Sequence, residues 1–319
     1  MKFTGFILIP VMLGLSAVGC ASSARSSASA KPAAIPAAQS APPTLDEMKA
    51  ATYTGVGDSL GPVTLQNGRW SGPASVPGGT SRPVVELAGD FRVVGDLNGD
   101  GIDEAVSVLS YSAGGSGSFS YLAVMSRREG TIRNIATTAL GDRVQLRSVR
   151  IQGGKLLASG LRAGSNDAAC CPGELVQWEW TLRNGTLNTP GAMTTGRLSL
   201  AVLAGSEWIL RAWNVNEPAG AEPAVTLAYD AGRFSGTSGC NRYTGGVTEG
   251  TTAGELSVGL LAGTRMACPD AVASVESRFT EQLTGAKTYG FMLGRLAISY
   301  IKADGSRGTM LFDSKRPVQ

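Results

Sequence analysis

The sequence predicts a mainly β protein, and three observations carry that expectation. Glycine is frequent, at 43 of 319 residues, while aromatic residues make up only 6%; short strands joined by tight turns suit that balance better than long helices do. Asn67-Gly68, Gly153-Gly154 and Asn184-Gly185 each lie between apolar runs, and Asn-Gly in that setting is the strongest short hairpin signal. Segments such as EAVSVLSYS (104–112) and FSYLAVMS (119–126) alternate at period two. With 43% hydrophobic residues over this length, about two domains are expected, both β-rich.

The N-terminus reads as an address. Met1 and Lys2 precede an apolar run from Phe6 to Val18, too short to span a bilayer and the right length for a signal segment. The run ends in AVGC at Cys20. Small residues before that cysteine resemble the lipobox of bacterial lipoproteins, with Ala17 where leucine is usual. The resemblance implies a signal peptide over 1–19, a diacylglyceryl anchor on Cys20, and a cell-envelope location. Ala21 resembles the class sorted to the outer membrane, facing the periplasm. Residues 20–45 are nearly all Ala, Ser and Pro and read as a disordered tether. Pro32, Pro36, Pro42 and Pro43 break any helix there.

The expected first globular part covers 46–192. A short helix or turn lies in TLDEMKAATY, capped by Thr44 or Asp46. GPVTLQNGRWSG, SRPVVELA and FRVVGDL follow as strands and turns. AGGSGS (113–118) is a hairpin tip: no lysine follows it and it leads into a strand, so it is not a phosphate loop. Trp178 and Trp180 share one strand face and are expected in a core or an apolar patch.

Within this part, DLNGDGIDEA (96–105) places Asp96, Asn98 and Asp100 at alternate positions before Gly101. Calcium loops take oxygens from such positions, from a later carbonyl, here Ile102, and from a later acid, here Glu104. The bidentate acid of a helix–loop–helix site is absent, since Ser107 stands there. The flanks are strands. The loop resembles DxNxDGxxD calcium sites of repeat β proteins, with Glu104 in the place of the last Asp. Calcium and a metal-free polar turn both remain open. The wider stretch is similar to an uncharacterised β domain of bacterial envelope proteins, which supplies a location and no activity.

The second expected part covers 197–319. It opens on Trp208, Leu210 and Trp213, turns at Asp230-Ala231-Gly232, and carries one clear helix in PDAVASVESRFTEQLTGAK. Val272, Val275, Phe279 and Leu283 share a helix face; Asp270 is the expected cap and Gly285 the expected end. TYGFML, RLAISYI and GTMLF finish as strands, the last pair turning at Asp304-Gly305.

FSGTSGCNRYTG (234–245), LLAGTRMACP (260–269), Trp208, and the helix with Glu276 and Phe279 together resemble the META (HslJ-like) domain family. That resemblance implies a half-barrel-like sheet with one packed helix, an envelope location, and links to stress response, antibiotic tolerance or secretion. It supplies no catalytic residues.

The chain contains no histidine. That excludes Ser-His-Asp and Cys-His nucleophile systems and His-ligated metals. Net charge is +3 without a dense basic block, so no nucleic-acid partner is expected. The expected function is a non-enzymatic envelope lipoprotein, held to the membrane by its lipid and binding an envelope protein or a small ligand. Its rivals are a calcium-stabilised adhesion or carbohydrate-binding module, and a secreted enzyme using carboxylates such as Asp230, Glu249 or Glu255. Setting Cys20 aside leaves Cys170, Cys171, Cys240 and Cys268, an even count suited to an oxidising compartment. Cys240 and Cys268 lie in one domain and are expected to pair. For Cys170 and Cys171, a bond between neighbours, free thiols and a bond to another chain all stay open.

Overall fold

The computed structural model describes residues 41–74 and 76–315. The signal segment, Cys20 and residues 20–40 of the tether lie outside the described residues. The fold is mainly β: among the described residues 52% are in strands and 9% in helices. Among the described residues no helix is long and apolar enough to cross a membrane.

Strands follow the chain sheet by sheet. Helix α1 (Leu45–Lys49) leads to a small sheet of β1 (Thr52–Tyr53) and β2 (Val63–Thr64). A second sheet holds β3 (Arg69–Ser71), β4 (Val84–Leu87), β5 (Val93–Gly95), β6 (Glu104–Ser112), β7 (Phe119–Arg128) and β8 (Thr131–Asp142), ordered β3-β4-β6-β7-β8 with β5 on β6. A third holds β9 (Gln145–Gln152), β10 (Lys155–Arg162), β11 (Glu174–Arg183), β12 (Thr186–Asn188) and β13 (Met193–Arg197), with β13 on β11. Residues 193–196, between the two expected domains, thus form most of a strand of the third sheet.

A 3-10 turn at Leu200–Leu203 then enters the fourth sheet. Its strands are β14 (Glu207–Asn214), β15 (Glu217–Pro218), β16 (Thr226–Asp230), β17 (Arg233–Thr237), β18 (Arg242–Glu249), β19 (Leu256–Gly263), β20 (Ala286–Met292), β21 (Arg295–Ile301) and β22 (Arg307–Ser314). The spatial order is β19-β18-β17-β16-β14-β22-β21-β20, all antiparallel, and the sheet curls into a half-barrel. Helix α2 (Asp270–Thr284) connects β19 to β20.

Local chemistry explains the turns. Asn67, Asn184 and Ala231 adopt positive φ, each followed by a glycine at positive φ, the geometry that tight hairpins require. Thr44 caps α1 in a capping box with Glu47. At α2 the cap position falls on Pro269, which makes no side-chain cap bond, and Asp270 is the first helical residue. The expected Asp270 cap is therefore corrected by one residue. Its carboxylate still lies in the first turn, where the helix dipole favours negative charge.

Three cores form. Met48, Tyr53, Leu65, Val85, Leu109 and Met125 fill the space under α1 and the first sheet. Val106, Val108, Leu122 and Val124 fill the opposite face, against Leu156, Trp178 and Trp180 of the third sheet. The middles of β6 and β7 are thus buried on both faces. Plain in–out alternation does not describe them, because a layer covers each side. The third core holds Trp208, Leu227, Phe234, Phe279, Leu296 and Phe312 inside the half-barrel. Full burial of such side chains stabilises by about 1.5–3 kcal/mol each.

Glu47 joins α1 to the second sheet. Its carboxylate accepts from Thr44 N at 2.8 Å and from Arg127 Nη2 at 2.6 Å. Arg127 also donates to the carbonyls of Ala41 and Gly130. The arginine bond, foremost, lowers the Glu47 carboxyl from 4.5 to about 2. A carboxyl lowered by folding stabilises the fold above its unfolded value, and that contribution fades as pH falls from 4.5 towards 2. Glu47 is 37% exposed, so screening limits the effect to about 1 kcal/mol. In urea unfolding across this window, wild type is expected to lose more stability than Glu47→Gln. Identical pH slopes would refute the link.

Candidate functional site

The loop between β5 and β6 is closed by its own backbone. Asp96 accepts from Gly99 N at 2.7 Å and Gly101 N at 3.0 Å. Asn98 Oδ1 accepts from Asp100 N at 2.8 Å, and Asp100 Oδ1 from Ile102 N at 2.9 Å. Asp100 Oδ2 pairs with Arg128 at 2.8 Å. Glu104 is fully buried; it accepts from Leu97 N, Asn98 Nδ2 and Ser126 Oγ, each at 3.0 Å. The Gly101 N–H, foremost, lowers the Asp96 carboxyl, whereas burial pushes the Glu104 carboxyl up. Calcium needs six to eight oxygens around one point. Among the described residues no three His, Cys, Asp or Glu side chains are grouped to hold a metal ion, and a guanidinium already sits on Asp100. As placed, the Asp96, Asn98 and Asp100 oxygens are taken by the loop's own N–H groups and by Arg128. Binding would require Arg128 to leave and Glu104 to reorient.

A second constellation gathers the SGCNRY and TRMAC segments. Asn241 is nearly buried. Its Oδ1 accepts from Thr264 Oγ1 and from Met266 N, both at 2.8 Å, and its Nδ2 donates to Glu276 on α2 at 2.9 Å. Ser238 donates from its N–H and its hydroxyl to the Asn241 carbonyl. Tyr243 donates to the Thr226 carbonyl and sets its ring edgewise on Phe279. Cys240 and Cys268 stand bonded, with Cα atoms 6.3 Å apart. The Asn241 side chain and the Cys240–Cys268 bridge tie the two loops to each other and to α2. The arrangement is a clamp, and none of these contacts is left over for a substrate.

A cleft of about 420 Å³ opens where the second and third sheets meet the half-barrel. Ser110, Ser118 and Ser120 line one wall; Thr288, Ser299 and Thr309 line the other. The Cys170–Cys171 pair, bonded with Cα atoms 3.8 Å apart, borders it. Asp167 holds that loop, accepting from Gly164 N and Gly173 N at 2.8 Å and pairing with Arg197. The Arg197 contact, foremost, lowers the Asp167 carboxyl. Gln145 fastens the seam by accepting from Phe291 N at 2.9 Å, and Arg147 lies over the Phe291 ring at 4.9 Å.

The family model for the META domain matches residues 201–315. The C-terminal part of this chain is a META domain. A solved structure described as the NMR structure of the protein from Burkholderia xenovorans is 26% identical, with a TM-score of 0.29, over 40% of this chain and 99% of that one. No curated protein matches the chain.

The acids weighed as catalytic are otherwise engaged or apart. Asp230 is exposed on the β16–β17 turn of the META domain. Glu249 Oε1 accepts from Leu200 N and from Tyr289 Oη, both at 2.8 Å, and Glu255 accepts from Thr252 N. Burial, foremost, pushes the Tyr289 hydroxyl far up. Trp178 and Trp180 stack with centroids 6.3 Å apart inside the second core. No sequence motif marked the cleft hydroxyls or Gln145; single Ser, Thr and Gln residues carry no spacing signal. Only the adjacent cysteines stood out.

If the clamp orders the META domain, Asn241→Ala is expected to cost about 1–3 kcal/mol in urea unfolding, since it removes the bonds to Thr264, Met266 and Glu276, each worth about 0.5–1.5 kcal/mol. Replacing both Cys240 and Cys268 by serine is expected to cost about 3–4 kcal/mol in the chain-entropy model. Changes within error would show that the clamp does not contribute to stability.

Proposed function

We propose that this protein is a lipid-anchored, non-enzymatic binding protein of the bacterial envelope, which uses the cleft beside its META domain to hold a ligand. The cleft carries the reading. Its volume suits a small ligand, and its walls offer hydroxyls and apolar surface rather than a nucleophile with a base. The lack of histidine removes the commonest general base. The anchor reading rests on the AVGC sequence at Cys20, and two or three acyl chains would hold the protein stably where one is marginal. Roles in stress response, antibiotic tolerance or secretion fit a ligand sensor in that location.

Cys20→Ser is expected to shift the protein from the membrane to the soluble fraction, or to leave the signal uncleaved; a cleaved mutant that stays membrane-bound would sink the anchor. For the cleft, a photocrosslinking residue at Thr288 in intact cells is expected to capture a component that the same residue at exposed Thr186 does not. Equal labelling from both positions would count against the cleft.

The second reading is a calcium-stabilised module, favoured by the alternate Asp96, Asn98 and Asp100. Because Arg128 occupies Asp100, calcium would bind more tightly to Arg128→Ala than to wild type. Calorimetry at millimolar calcium with no heat from either chain would leave the metal-free turn.

A further inference from the structure

The cleft's chemistry narrows its occupant, an inference that rests on the cleft being a binding site. Charge is the first constraint. Among the described residues, Arg143 is the one Asp, Glu, Lys or Arg on the walls, and its guanidinium is already held by the Asp142 carboxylate and the Ser116 carbonyl. A charged ligand would give up water without gaining a counter-ion, which is costly.

Hydrogen-bonding capacity is the second constraint. Six Ser and Thr residues line the space, three from each wall, and Tyr289, also on the walls, spends its hydroxyl on Glu249. Ser299 and Thr309 bond to each other at 2.9 Å; even so, a hydroxyl offers one donor and two acceptor sites. A plain acyl chain would leave these groups unmatched. The third constraint is apolar surface. The Cys170–Cys171 bridge, Met292 and Leu293 give the cleft apolar edges. Sulfur is soft and polarisable, suited to contact with C–H groups. The Asp167 bonds pin the bridge in place.

A ligand that is neutral, rich in hydroxyls and apolar on its ring faces meets all three constraints. We infer that the cleft binds an uncharged carbohydrate, with the Cys170–Cys171 bridge packed against a sugar ring face.

The test uses the detergent-solubilised full chain and saturation-transfer NMR. The probes are two neutral trisaccharides, maltotriose and triacetylchitotriose, with decanoate and a neutral tripeptide for contrast. At least one trisaccharide is expected to bind, with its signal lost in Thr288→Trp and in Ser120→Trp but kept in Thr186→Trp; melting curves establish that each variant is folded. Replacing Cys170 and Cys171 by alanine is expected to weaken sugar binding on the order of tenfold, the loss of about 1.4 kcal/mol of contact. Unchanged affinity in that variant would overturn the role of the bridge. If only decanoate or the tripeptide binds, and Thr288→Trp abolishes it, the carbohydrate inference fails and the cleft survives as a binding site. If no probe responds to Thr288→Trp, both fail.

Discussion

A curled sheet that stops short of closure must cover the gap between its end strands, and the META domain depends on how it does so. At one rim the gap narrows, where Glu255, just before β19, and Thr288 of β20 form an isolated bridge. Left open, the gap would wet Phe234, Tyr243 and Leu296. Helix α2, which connects β19 to β20, fills it by burying Phe279 and Leu283. A helix that starts on Pro269 without a side-chain cap bond needs outside help to hold its angle. The Cys240–Cys268 bridge gives that help just before its N-terminal end, and Asn241 gives it at Glu276, midway along the helix. The Asn241 oxygen accepts twice and its nitrogen reaches the helix itself, so burial leaves the oxygen fully matched. The SGCNRY and TRMAC segments thus serve closure.

The same incomplete closure creates the seam. β20 ends the sheet, and an uncovered end strand presents unpaired backbone groups. Here β9 of the third sheet leans on it. The Gln145 side chain takes the Phe291 N–H, and the Leu146 carbonyl takes the Gly294 N–H. Leu161 of β10 belongs to the META core, while Leu293 of the META domain packs against the second core. Each part therefore contributes side chains to the other's interior. The cleft lies where the paired walls diverge beyond these contacts.

Local signals made much of the fold legible in the sequence. Asn67-Gly68, Asn184-Gly185 and Ala231-Gly232 marked hairpins because only a few residue types accept positive φ. The Thr44 cap and the α2 face, with Phe279 and Leu283, were readable from spacing. Less legible was anything set by what stacks above a strand. EAVSVLSYS reads as alternating, yet Ala105 to Leu109 are buried on both faces, since two separate layers cover β6. The candidate site was harder still. The Asp96–Glu104 stretch shows its spacing plainly, but its competitor for Asp100, Arg128, lies at the far end of β7. The cleft hydroxyls come from five strands and the β6–β7 loop, and no local pattern joins them.

One sequence feature does locate the cleft once the layers are known. Along one face of β6 and β7, Val108 and Leu122 are paired across the strands and belong to the second core. The next pair on that face, one step towards the AGGSGS tip, is Ser110 with Ser120, half-buried and lining the cleft. The change from branched apolar residues to serine coincides with the place where close packing gives way to open space. Two more large apolar residues at 110 and 120 would have left exposed surface or drawn the META domain inward. Serine keeps the wall low and wettable. The cleft is therefore the unfilled continuation of a core, and its polarity is written into a strand pair whose other half is fully packed.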